Sequence, residues 1–199
     1  MTLAEAAFGR QTLVKQIALV LGGSLFIALA AQVSVPMYPV PMTLQTLAIL
    51  IVGLCYGARL AAVTLVVYLA EGAMGLPVFA NAGNGAAFFG PTAGFLVGFV
   101  FMAWLVGYAA DRGWTRSAGG AAVACLVAAA LLYIPGLAWP MSLANAFGFT
   151  GSWVGQDFVA YYWAYFAKPF LFGDAVKAAI AAIIVVGTTQ ALKFDPTKS

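Results

Sequence analysis

The sequence predicts an all-α integral membrane protein with six transmembrane helices and both termini in the cytoplasm. Three observations carry that expectation. Of the 199 residues, 64% are hydrophobic and only 8% charged, against about 25% charged in ordinary globular chains. Apolar runs long enough to cross about 30 Å of hydrocarbon as helix recur along the chain. The basic residues fall between those runs in a pattern that obeys the positive-inside rule. At this length the whole chain, residues 1–199, reads as one transmembrane domain with no room for a separate soluble one.

Composition also excludes function classes. There is no histidine, which removes histidine triads, the commonest proton shuttle and most zinc sites. Cys55 and Cys125 stand alone in apolar runs and read as inert buried thiols. The net charge of +3 is scattered, so no basic patch points to nucleic acid. No phosphate-binding glycine loop and no nucleophile elbow occur, so the expectation is no enzyme, no metal and no cofactor.

Taken in order, Met1 to Gln16 is a polar lead-in carrying Glu5, Arg10 and Lys15, and Leu13–Val33 is the first span. Its Ala28-Leu29-Ala30 tail also fits a cleaved signal peptide, but the apolar run is long for that purpose. Ala18 and Gly22, then Ser24 and Ala28, place small residues one turn apart, the spacing that lets another helix approach closely. Packing within the bundle is the plainer use of the same spacing. Pro36, Pro39 and Pro41 then exclude regular helix over Ser34–Met42, leaving an uncharged loop able to cover a cavity. Thr43 and Gln45 follow, as caps of the next helix or as inward hydrogen-bonding groups.

Leu44–Ala70 is too long for one span and carries Arg59 past its middle, so Gly53 and Gly57 suggest two helices, about 41–54 and 58–73. The charge pattern decides for that split. With six spans, Arg10, Lys15, Arg59, Arg112, Arg116, Lys193 and Lys198 are cytoplasmic, Lys168 is outside and Lys177 lies within a span. With five spans the bias disappears.

Glu71–Pro91 is an external stretch rich in glycine, with Asn81 and Asn84. Such backbone can turn N–H groups toward an anion, or can simply be a loop. Glu71 reads as an interfacial acid. Pro91-Thr92 opens a fourth span that runs to Ala110. A fifth runs from Ala118 to Ile134, where Pro135-Gly136 is expected to stop it. The aromatic stretch from Trp139 to Lys168, including Trp153 and a solvated Asp157, reads as an outer interfacial segment. The last span is Pro169–Leu192, followed by Lys193, Asp195 and Lys198.

The chemistry concentrates in that last span. Asp174 and Lys177 sit three residues apart, hence on one helical face, at the head of an otherwise uncharged run. A charge near membrane depth costs at least ~2.5–3.5 kcal/mol on insertion scales, so it is kept only where something compensates. The acceptor and donor can compensate each other, with Asp174 capping the helix. They can equally face a cavity and bind a small ligand that offers N–H and C=O, such as a cyclic urea or an amide edge. A carboxylate on Lys177 is a further option.

Pro41-Met42-Thr43-Leu44-Gln45-Thr46-Leu47, Gly75-Leu76-Pro77-Val78-Phe79-Ala80, Gly90-Pro91-Thr92-Ala93-Gly94-Phe95 and Pro169-Phe170-Leu171-Phe172-Gly173-Asp174-Ala175-Val176-Lys177 occur in that order along nearly the whole chain. Together they resemble the signature stretches of the BioY-type proteins, the biotin-specific S components of energy-coupling factor (ECF) transporters. The resemblance implies six transmembrane helices in a substrate-binding domain of the cell (inner) membrane. It also implies a biotin pocket near the outer face, and docking onto a transmembrane T component with two ATPase subunits. Asp174 and Lys177 match the family's acid and lysine that bind biotin's ring. Asn81 or Asn84 matches a polar ligand position. Thr43 and Gln45 match the first loop block, as a cavity lid. Phe172 stands where the family commonly has proline, and the first span offers only Ala18, Gly22, Ser24 and Ala28 in place of the Ala-x-x-x-Ala docking motif. An S component for another vitamin, or a structural membrane protein whose charge pair only orients helices, are the alternatives.

Overall fold

In the computed structural model, which describes residues 12–147 and 158–193, six helices of twelve residues or more make up the described chain, joined by short irregular segments. Helix α1, Leu13–Gln32, begins after Thr12, whose side chain caps it. The triple-proline stretch that follows cannot be helical. It forms a hairpin instead, with β1 (Ser34–Val35) antiparallel to β2 (Met42–Thr43) and Ser34 opposite Thr43.

Helices α2 (Gln45–Tyr56) and α3 (Ala58–Ala73) are separate, as expected, and break at Gly57, whose φ of 78° suits glycine. The carboxylate of Asp111 accepts the Ala58 N–H at 2.9 Å and so caps α3 from a distant helix. After α3 the chain makes two short 3₁₀ turns, Ala80–Ala82 and Gly85–Phe89. Phe79 anchors this loop in the core. It lies edge-on to Tyr68 at 5.3 Å and occupies the space over Gly72, where any Cβ would strike its ring.

Helix α4 (Ala93–Asp111) packs against α2, α3 and the next helix, α5 (Ala118–Phe147), and forms the centre of the bundle. Helix α5 corrects the expected stop at Pro135-Gly136. It runs unbroken from Ala118 to Phe147 with Pro135 and Pro140 inside it, and takes in Trp139 and the start of the expected interfacial segment. A proline removes one helical donor and crowds the preceding turn, but membrane helices tolerate it where neighbours take up the slack. Here Gly94 and Gly98 of α4 receive the proline turn so closely that a Cβ on Gly94 would lie 2.1 Å from the Pro135 carbonyl oxygen.

The second described part of the aromatic segment is also helical: Phe158–Tyr162 continues as a wide turn over Trp163–Ala167. Helix α6, Leu171–Lys193, closes the described fold. Glu5, Arg10, Trp153, Asp157, Asp195 and Lys198 lie outside the described residues.

The core runs the length of the bundle, with Ile27, Ile49, Leu65, Tyr68, Met102 and Val106 among its most buried side chains. Among the described residues, α1, α4, α5 and the run from Phe158 to Ala191 containing α6 are long and apolar enough to cross a membrane. The α2 helix, at twelve residues, rises only about 18 Å.

Candidate functional site

The first turn of α6 carries Asp174, where a carboxylate is favoured by the helix dipole, and Lys177 follows one turn later on the same inward face. Both are buried, 8% and 7% exposed, and the ammonium lies 3.2 Å from Asp174 Oδ1. The pair is not sealed off. It forms part of the wall of a cavity of about 370 Å³ enclosed by α2, α4, α5, α6, the hairpin and the glycine-rich loop.

Two hydroxyls bond directly to the pair. Tyr133 of α5 donates to Asp174 Oδ2 at 2.5 Å. Thr46 of α2 accepts from Lys177 Nζ at 3.0 Å and donates to Asp174 Oδ1 at 3.5 Å. Three helices thus meet in one network, which is what makes two charges tolerable at this depth: each is hydrogen-bonded and their sum is zero. Most of the remaining wall is apolar, with the rings of Phe95, Phe99 and Phe170 and the side chains of Leu96 and Leu132, while Pro39 to Met42 of the hairpin cover one side. A mostly apolar cavity with a few convergent polar groups is the usual form of a small-molecule site.

The other residues singled out from the sequence divide. The Thr43 hydroxyl accepts the Gln45 N–H at the start of α2 (3.2 Å), and both side chains border the cavity. Gln45, 4% exposed, is held by the Tyr68 hydroxyl at 2.9 Å, which in turn donates to the Val78 carbonyl. It therefore serves as a fixed part of the wall.

Asn81 borders the cavity mouth in a left-handed conformation (φ 55°) and accepts from Ser34 Oγ at 2.8 Å. Asn84 stands away from the cavity and caps the second 3₁₀ turn through the Ala86 N–H. Gln32 at the end of α1 grips the same loop, donating to the Phe79 carbonyl and accepting from the Ala82 N–H.

On α1 the small residues do not share one surface. Ala18 is exposed, and Gly22 is also exposed and open around its Cα, whereas Ala28 is half-buried. Ser24 is fully buried with its hydroxyl bonded to the Glu71 carboxylate. The expectation that Ser24 meets a partner is corrected on that ground: it packs inside the bundle against Glu71.

Tyr133 and Thr46 were missed as site residues. Tyr133 is the one strong hydrogen-bonding side chain in the Ala118–Ile134 run, and Thr46 ends the polar cluster that starts at Thr43. Those were the available signals.

A family model described as the BioY family matches residues 3–194. The biotin transporter BioY of Rhizobium etli is 32% identical over 166 residues, covering 79% of this chain and 82% of that protein. The probable biotin transporter BioY of Pyrococcus horikoshii is 33% identical over 174 residues, covering 85% and 93%. A crystal structure of the S-component for biotin from an ECF-type ABC transporter shares the fold. It superposes with a TM-score of 0.75 at 22% identity over 91% of this chain and 95% of that one.

Proposed function

The chain belongs to the BioY family, and from that premise we propose that it is the biotin-binding S component of an energy-coupling factor uptake transporter. The observation that carries the proposal is the buried Asp174–Lys177 pair exposed to a 370 Å³ cavity. A ureido N–H of biotin donates to Asp174 and the ureido C=O accepts from Lys177, while Phe95, Phe99 and Phe170 pack the thiolane ring. Thr43 and Gln45 shape the wall beside the hairpin. The valerate carboxylate points toward the loop that begins at Asn81, with Asn84 holding that loop's second turn.

The protein spans the cell membrane six times with both termini cytoplasmic. Supporting this, Leu13, Gln16, Arg59 and Asp111 gather at the end of the bundle away from the cavity, so the start of α1, the α2–α3 junction and the end of α4 share one side. Transport draws on ATP hydrolysis by two ATPase subunits joined through a transmembrane T component. Ala18 and Gly22 offer that component the close-approach surface on α1, with Ala28 at its edge.

The test is thermal stabilisation of the purified chain in nanodiscs. A ligand at a hundred times its Kd adds about 2.7 kcal/mol of stability. Biotin is expected to raise the melting temperature while thiamine and riboflavin leave it unchanged. No shift with biotin, or an equal shift with another vitamin, refutes the assignment.

A further inference from the structure

The hydrogen-bonding capacity left to the charged pair can be counted. An ionised carboxylate has about four lone-pair positions and an ammonium three N–H donors. Among the described residues, Asp174 Oδ1 receives Lys177 at 3.2 Å and Thr46 at 3.5 Å, and Oδ2 receives Tyr133 at 2.5 Å. Lys177 spends one N–H on Asp174 and one on Thr46 at 3.0 Å. What remains is one acceptor position on Oδ2 and one ammonium N–H. All four side chains border the same cavity.

Resting on the biotin reading of this cavity, we propose that Tyr133 and Thr46 are specificity-determining positioning residues. Their hydroxyls reduce the pair to one acceptor beside one donor. The site then takes a neutral group with one N–H next to one C=O, as on the edge of a cyclic urea or lactam, and turns away a cationic group with two adjacent donors. A guanidino ligand brings a positive charge to a pair whose charges already cancel, and its second donor finds no acceptor position, because Tyr133 holds the other one on Oδ2 and Lys177 and Thr46 fill Oδ1. A buried donor without a partner is costly, and discrimination arises from that cost.

The framework holds both hydroxyls in place. Tyr133 stands in the turn before Pro135, edge-on to the Phe95 ring at 6.1 Å, and Thr46 lies in the first turn of α2.

The experiment is equilibrium binding, in nanodiscs, of biotin and of its guanidino analogue 2-iminobiotin. The proteins are the wild-type chain and the Tyr133→Phe, Thr46→Val and Thr46→Ser variants. Tyr133→Phe removes one oxygen and keeps the ring. It is expected to weaken biotin about tenfold, the effect of one hydrogen bond to a charged group. It should also shrink the preference for biotin over 2-iminobiotin by about tenfold. A purely structural role weakens both ligands alike and leaves that ratio unmoved. Thr46→Val is expected to weaken biotin about tenfold, and Thr46→Ser to restore it. An unchanged ratio in Tyr133→Phe, or wild-type affinity in Thr46→Val, overturns the proposal. If Tyr133→Phe shows no cooperative melting transition, the Thr46 pair of variants decides alone. Failure of the wild-type chain to bind biotin is a separate result and refutes the functional reading itself.

Discussion

Two aspartates mark opposite ends of the bundle, and their surroundings differ in the way that matters. Asp174 is buried, receives three side-chain donors and borders a cavity of about 370 Å³. Asp111 is exposed, accepts the Ala58 N–H, and stands beside a larger groove of about 720 Å³ between α1 and the α2–α3 junction. The groove has more volume and polar side chains of its own, Gln16, Tyr56, Arg59 and Asp111, but Tyr56 and Asp111 bond to the backbone of Leu19 and Ala58 and not to a shared side-chain network. Leu13, Ile17 and Leu21, which line it, are exposed. Volume therefore does not mark a site here. Convergent polar groups with a little capacity left over do.

The largest expected effect breaks the cavity end alone. Truncating one partner of a buried, hydrogen-bonded charge pair at a binding site typically costs ~2–5 kcal/mol of affinity, so Asp174→Asn should weaken radiolabelled biotin binding by about a hundredfold. The next tests the scaffold behind the cavity. Gly94→Val pushes a side chain into the Pro135 carbonyl, and overpacking of this kind costs ~1–3 kcal/mol. A fall in melting temperature without ligand is expected.

A smaller effect sharpens the role of the loop. Gln32→Ala removes the bonds from α1 to Phe79 and Ala82. At roughly 1 kcal/mol for a net hydrogen bond, biotin should dissociate several times faster, as measured by a chase with unlabelled ligand. The smallest effect belongs to the other end. Asp111→Ala removes the cap on α3, worth ~1 kcal/mol. A slightly lower melting temperature and an unchanged biotin affinity are expected. Loss of biotin binding in that variant would erase the contrast between the two ends.

Sequence reasoning located Asp174 and Lys177 because two charges in an uncharged run need compensation wherever the chain folds. It also separated α2 from α3, because Leu44–Ala70 is too long for one span, Gly53 and Gly57 offer a break, and the positive-inside pattern favours the split. It could not reach Tyr133 or Thr46, whose partners lie 41 and 128 residues away along the chain; ordinary hydroxyls in apolar helices show no local sign of what they face. Pro135 misled because the stop rule assumes a backbone without support, whereas Gly94 and Gly98 on another helix supply the room. Ser24 misled because small-residue spacing identifies a face of α1 but not which side of it the bundle occupies. Only the contact with Glu71 settles that.

The most direct test of the central claim is equilibrium biotin binding by the Asp174→Asn, Lys177→Met double variant, with folding checked by its melting transition. Replacing both charges together leaves no unpaired ion, so the fold should persist. The account predicts a folded protein that no longer binds biotin. A folded double variant that binds biotin as the wild-type chain does would contradict it.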